Sequence, residues 1–203
     1  MEAVPELALA CYTLYGLVAF GLRAFLQWRR TGSTGLKGVR PGAGPLEWLA
    51  GAGLVAGIAL GVLGAVLALN HAAEPLSALD GRAAQAVGIA LFAIGFAGTF
   101  YSQLAMAASW RVGVDVGERT DLVTEGPFRL VRNPIYAAML PAILGLALLT
   151  PNAAALGGFL LVLVALELQV RVVEEPHLLR VHGDEYARYA GRVGRFVPGV
   201  GRR

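Results

Sequence analysis

Cysteine, histidine and charge are all scarce in this chain. A single cysteine, Cys11, excludes an internal disulfide, and three histidines offer no convincing set of metal ligands. Cys11 lies in an apolar run and reads as a small buried or lipid-facing residue. Charged residues make up 15% of the chain against 56% hydrophobic, with a mean hydropathy of +0.61. Those values exclude an ordinary soluble domain and point to a membrane protein. No glycine-rich phosphate loop follows a strand-like run, so a soluble nucleotide-binding fold has no support. No metal and no nucleic-acid partner are expected. The opening MEAVPE is acidic, whereas a cleavable signal peptide opens with positive charge.

What the chain does have is long apolar runs. Residues 7–28 form the first, with Arg23 near its end placed to snorkel and Trp28, Arg29 and Arg30 as an aromatic and basic border. A Gly/Pro-rich loop with Lys37 and Arg40 follows. Residues 48–69 form the second run, about the ~20 residues a spanning helix requires. Gly53, Gly57 and Gly61 recur there every four residues and leave one face bare for a neighbouring helix. The third run covers residues 83–110. An uncharged stretch over 135–166 is too long for one span, and Thr150-Pro151-Asn152 supplies turn chemistry near its middle. The expected fold is therefore an all-α integral membrane protein with five transmembrane helices. The fifth would continue through Glu167, Arg171, Glu174 and Glu175 until Pro176 interrupts it.

Charge placement orients this arrangement. Of 17 Lys and Arg, Arg82 alone falls between spans two and three, and Arg23 lies within span one; the other 15 sit in the first loop, the central segment, the end of span five and the tail. The positive-inside rule puts those parts in the cytoplasm and the N-terminus outside the cell membrane. The expected organisation is an N-terminal helical hairpin over 1–82 and a three-span core over 83–203. The core carries a cytoplasmic loop at 109–134 and an amphipathic tail at 176–203. This loop and tail, the latter lying against the membrane surface and the loop, would form a cytoplasmic site.

The polar segment from Ser109 to Tyr136 carries Arg111, Asp115, Glu118, Arg119, Asp121, Glu125, Arg129 and Arg132. A connection of that length between apolar runs invites a functional reading. Its end, Asn133-Pro134, reads as an N-cap and first helical residue whose free amides can hold an anion. Ordinary capping, or lipid phosphates on Arg129 and Arg132, would account for the same residues. Glu167, Arg171, Glu174 and Glu175 are spaced to share one helix face. Ionisable groups at membrane level usually face protein or a wet cavity. A simple salt bridge between Glu167 and Arg171 is the bland alternative. Tyr186 and Tyr189, three apart, share a face and suit interfacial anchoring.

These pieces in order resemble a known family. SWRVGVD, LVTEGPFRLVRNPIY, RVVEE and HGDEYARYAGRVGRFVP, from Ser109 to Pro198, are similar to the isoprenylcysteine carboxyl methyltransferase family, which is related to membrane phospholipid methyltransferases. The resemblance covers nearly half the chain and leaves out the first two spans. It implies S-adenosylmethionine as cofactor, with contacts at Gly126, Phe128, Val131, Arg132, Asn133, Tyr136, Glu174, Glu175 and Tyr186. It also implies methyl transfer to a lipophilic small molecule or lipid. Asn133 stands where the family commonly has histidine, and asparagine hydrogen-bonds without titrating near neutral pH. Arg171, one turn deeper than the paired glutamates, is the expected residue for orienting an anionic acceptor, with Glu167 holding it. An NADPH-dependent membrane reductase and a non-catalytic lipid-binding protein are the alternatives. The acceptor atom and the oligomeric state are left open by the sequence.

Overall fold

The computed structural model describes residues 3–36, 38, 43–110 and 121–203. Lys37, Arg40, Arg111, Asp115, Glu118 and Arg119 lie outside the described residues. Every regular element among those described is helical. The first helix runs as α1 (Ala3–Gly16), a π-helical stretch (Leu17–Leu22) and α2 (Arg23–Thr31). It stops at Gly32, whose left-handed φ of 76° lets its amide reach back to the Trp28 carbonyl. Then come α3 (Pro45–Leu69), α4 (Arg82–Ala105), α5 (Pro134–Leu149), α6 (Ala153–Leu168) and α7 (Glu175–Arg192).

Among the described residues, four helical stretches are long and apolar enough to cross a membrane, and α5, with 16 residues, is shorter. At ~1.5 Å per residue α5 reaches roughly 24 Å, less than the ~30 Å hydrocarbon core. The turn expected at Thr150-Pro151-Asn152 is present between α5 and α6. Asn152 holds it in two directions. Its Oδ1 caps α6 by accepting from the Ala155 amide at 3.0 Å, and its Nδ2 donates to the Gly64 carbonyl of α3 at 2.8 Å.

Close packing sorts the bundle into two intimate pairs, α3 with α6 and α4 with α5. Small residues make each possible, as the glycine spacing in α3 predicted. A Cβ on Gly57 would come within 2.8 Å of Val162 Cγ2 and 2.9 Å of the Gly158 carbonyl, so the α3 and α6 backbones nearly touch there. A Cβ on Gly95 would meet the Ala142 amide of α5 at 2.5 Å. Tyr15 of α1 reaches α4, where its hydroxyl and that of Thr99 are 3.0 Å apart.

Two local expectations are corrected. Arg23 does not snorkel. It is fully buried, donates to the Ala107 carbonyl at 2.6 Å and stacks its guanidinium 4.7 Å from the centre of the Trp110 ring. Nor does Pro176 interrupt the last long helix. It closely follows a π-helical stretch, Gln169–Glu174, that joins α6 to α7, and the helix continues through it. The real kink is Gly183, at φ 52° and ψ −127°.

Candidate functional site

The chain after α7 folds back onto the segment that precedes α5. Val131 and Gly194 form a parallel bridge, the Arg132 amide donates to Gly194 O at 2.8 Å, and the Asn133 amide donates to Arg195 O at 3.1 Å. The expected meeting of loop and tail is thus made by backbone hydrogen bonds. Pro134 begins α5 as expected, but Asn133 makes no side-chain cap. Its Nδ2 donates instead to Arg195 O at 3.2 Å.

Beneath this junction lies a buried ion cluster. Glu175 is 1% exposed. Its Oε1 accepts from Arg132 Nη2 at 2.6 Å and from Arg195 Nε at 2.8 Å, and its Oε2 accepts from Arg195 Nη2 at 2.8 Å. Arg203 adds a contact at 3.3 Å. Burial alone would raise the Glu175 pKa, but the hydrogen bonds from Arg195 and Arg132 outweigh it and hold the carboxyl below its ordinary value. The same bonds raise the Arg195 pKa. Arg132 also donates to the carbonyls of Ala190, Val193 and Gly201. Its two terminal nitrogens are fully used, and only its buried Nε has no partner among the described residues.

Above the cluster is a cavity of about 170 Å³. Its polar lining includes Asp121, Arg132, Asn133, Glu174 and Tyr186, and its apolar lining includes Phe20, Leu54, Ile135 and Met139. Glu174 and Glu175, adjacent in sequence, therefore part company. Glu174 accepts from the Tyr136 hydroxyl at 2.6 Å and from Gln169 Nε2 at 3.3 Å on the cavity wall, whereas Glu175 does not line the cavity. Tyr186 is buried, and burial first, then the Glu175 charge, pushes its phenol up to about 12, so it stays neutral. It sits edge-on to Tyr189, centroids 6.2 Å apart. The Tyr189 hydroxyl donates to the Phe128 carbonyl at 2.7 Å and fixes the Gly126–Arg129 turn, which Gly126 opens with φ 61°.

Of the residues singled out from sequence, Phe128, Arg132, Asn133, Tyr136, Glu174 and Tyr186 line the cavity. Gly126 and Val131 shape the backbone beside it. Arg171 and Glu167 pair with each other and lie outside the lining, with side chains 53% and 36% exposed. The shared face expected for the four charged residues is not found. The π-helical stretch bonds i to i+5, widens the turn and breaks the 3.6-residue register between Arg171 and Glu174. Sequence reasoning missed Arg195 and Gln103. Gln103, a buried amide in an uncharged run, carried a signal of its own.

The described residues thus form an apolar helical bundle with a mainly apolar cavity that also carries charged side chains. A model of the phospholipid methyltransferase family matches residues 83–185, just over half of the chain. The chain belongs to the phospholipid methyltransferase family. It is also similar to the nickel-cobalt-cadmium resistance protein NccN of Alcaligenes xylosoxydans xylosoxydans, at 34% identity over 79 residues. That match covers 39% of this chain and 37% of NccN.

Proposed function

We propose that this protein transfers a methyl group from S-adenosylmethionine to a lipophilic small molecule or lipid at the cytoplasmic membrane face. The observation that carries the reading is the single cavity that joins Arg132, Glu174 and Tyr186 to Phe20, Leu54 and Met139. The residues present suit the cofactor's charges. Glu174 on the cavity wall suits an ammonium or ribose hydroxyl, and the positive charge of Arg132 suits a carboxylate. Phe128 and Tyr186 offer aromatic faces to a cation. When bound, the cofactor would supply an electrophilic methyl group on a sulfonium.

The chain's own residues would then position rather than transform. Tyr136 and Gln169 fix Glu174, and the Glu175 cluster fixes Arg132, so both binding groups are set in advance. Arg171 and Glu167 enter this reading as an exposed pair before Glu174, where they would hold an anionic group of the acceptor. Arg171→Lys should then lower turnover and spare cofactor affinity; turnover at the parent level makes the pair structural. Calorimetry of the purified protein with S-adenosylmethionine and with NADPH tests the whole. Binding of the first alone supports methyl transfer, binding of the second alone supports a reductase, and binding of neither supports a lipid-binding protein. Mass spectrometry of lipid extracts incubated with isotopically labelled cofactor would then identify the acceptor.

A further inference from the structure

α5 is the short helix of the bundle. Its 16 residues leave one end below the surface of an undeformed bilayer, and a short helix needs apolar surface at its ends or a thinned membrane. The tail is bound where α5 begins. Beyond the Val131–Gly194 bridge it folds into a turn, in which the Val200 amide donates to the Val197 carbonyl at 3.0 Å and the Arg195 amide donates to the Val200 carbonyl at 2.8 Å. A Cβ on Gly194 would collide with the Val197 carbonyl, so the turn packs directly on the bridge. The turn presents Val197 and Val200, 55% and 62% exposed, and Leu130, one residue before the bridge, is 65% exposed. These three lie outside the four long apolar helices and outside α5, so contact along a span does not account for them.

Positive charge surrounds the same patch. Glu175 faces three guanidinium groups, those of Arg132, Arg195 and Arg203, and neutralises one of them. Glu167 also acts on Arg195 but is paired with Arg171. Arg129 has Glu125 at 3.7 Å, a loose pair with both side chains mostly in solvent. Arg202 lies beside the turn, its Nη2 3.4 Å from where a Cβ on Gly199 would stand, and it has no ion pair among the described residues. Apolar tips ringed by arginine complement a bilayer surface that carries negative headgroups. The patch adjoins the start of an apolar helix of the bundle, so the bilayer is the surface nearest to it.

We propose that this patch is a membrane-interface anchor. Leu130, Val197 and Val200 enter the boundary between headgroups and acyl chains where α5 falls short, and Arg129 and Arg202 hold the phosphates of anionic phospholipids. The anchor stands apart from the methyl-transfer reading and holds whatever reaction the cavity carries out.

The test uses the full chain in a Cys11→Ala background with a nitroxide on a single cysteine at Leu130 or Val200. Nanodiscs contain phosphatidylcholine alone or mixed equally with phosphatidylserine. Relaxation by oxygen, which concentrates in lipid, is compared with relaxation by an uncharged water-soluble nickel chelate. Labels at Leu160, exposed midway along α6, and at Glu185, exposed on α7, are the lipid and water references. In mixed nanodiscs both test positions should have nickel-to-oxygen ratios nearer to Leu160 than to Glu185. Those ratios should be about twofold or more below their values in phosphatidylcholine, since one interfacial arginine raises the inserted population about fivefold. Arg129→Gln combined with Arg202→Gln should abolish the difference between the two lipids. Val197 replaces either position if its label disturbs folding. The anchor is refuted by ratios at the Glu185 level in both lipids, or by indifference to phosphatidylserine. It is refuted equally if the double variant keeps the parent's response. Shielding from both reagents would mean that protein, a second copy or another partner, covers the patch, and this too rules the anchor out.

Discussion

Two neighbouring glutamates divide the labour at the residue scale. Glu174 faces the cavity, and Glu175 sits among Arg132, Arg195 and Arg203. Their glutamine variants should therefore fail differently. Glu174→Gln should fold normally and bind S-adenosylmethionine about tenfold or more weakly, since a hydrogen bond to a charged group is worth ~1.5–3 kcal/mol. Unchanged affinity by calorimetry would remove Glu174 from the site. Glu175→Gln leaves buried guanidinium groups uncompensated and should cost ~3–5 kcal/mol of stability. A thermal transition at the parent position would show that the cluster contributes nothing. Acid separates the variants further. The Glu175 pKa is depressed in the folded state, so its stabilisation is fully present above the unfolded carboxyl value of about 4.3 and is lost as pH falls through the folded value. Between pH 5 and the acid limit, a window set by that value, the parent should lose more stability than Glu175→Gln. Parallel profiles would place the acid-sensitive groups elsewhere.

At the scale of elements, backbone contact between helices decides the packing. Gly57 of α3 lies against Val162 and Gly158 of α6 with no room for a methyl group. Gly57→Ala forces the pair apart and should destabilise by ~1–3 kcal/mol. Gly16, around which a Cβ would meet nothing within 4 Å, is the control, and Gly16→Ala should change stability far less. Equal melting temperatures for the two variants in detergent would contradict close packing of α3 on α6. The π-helical stretches act at the same scale. The one at Leu17–Leu22 contains Ala19, whose carbonyl receives Gln103, and the one at Gln169–Glu174 turns Glu174 toward Tyr136.

For the whole molecule, the arrangement in the membrane follows from charge. Apolar helices and family membership place the chain in a membrane. The proposed orientation, N-terminus outside and C-terminus cytoplasmic, rests on the distribution of arginine and lysine. Single cysteines at Ser77 and Gly199, introduced into a Cys11→Ala background, test it. A membrane-impermeant thiol reagent should label the first from outside intact cells and the second only after the cells are opened. The reverse pattern would invert the model, and labelling of both from outside would require an even number of spans.

The sequence by itself determined the helical membrane class, the turn at Thr150-Pro151-Asn152 and the glycine face of α3. Each is local or periodic: hydropathy over a span, turn chemistry, residue spacing. It also named six residues that line the cavity, because the resemblance carried their order along the chain. Only the tertiary structure decided which of them face it. Glu174 and Glu175 are indistinguishable as a dipeptide, and a π-helical turn with the docked Arg195 separates them. Arg23 reads as a snorkelling cation until Trp110 and the Ala107 carbonyl, more than eighty residues away, close over it. Gln103 is one polar residue in an apolar run until Ala19 takes its nitrogen and leaves its oxygen bare. These outcomes depend on contacts between distant parts of the chain, and helical periodicity carries no information about partners on another helix.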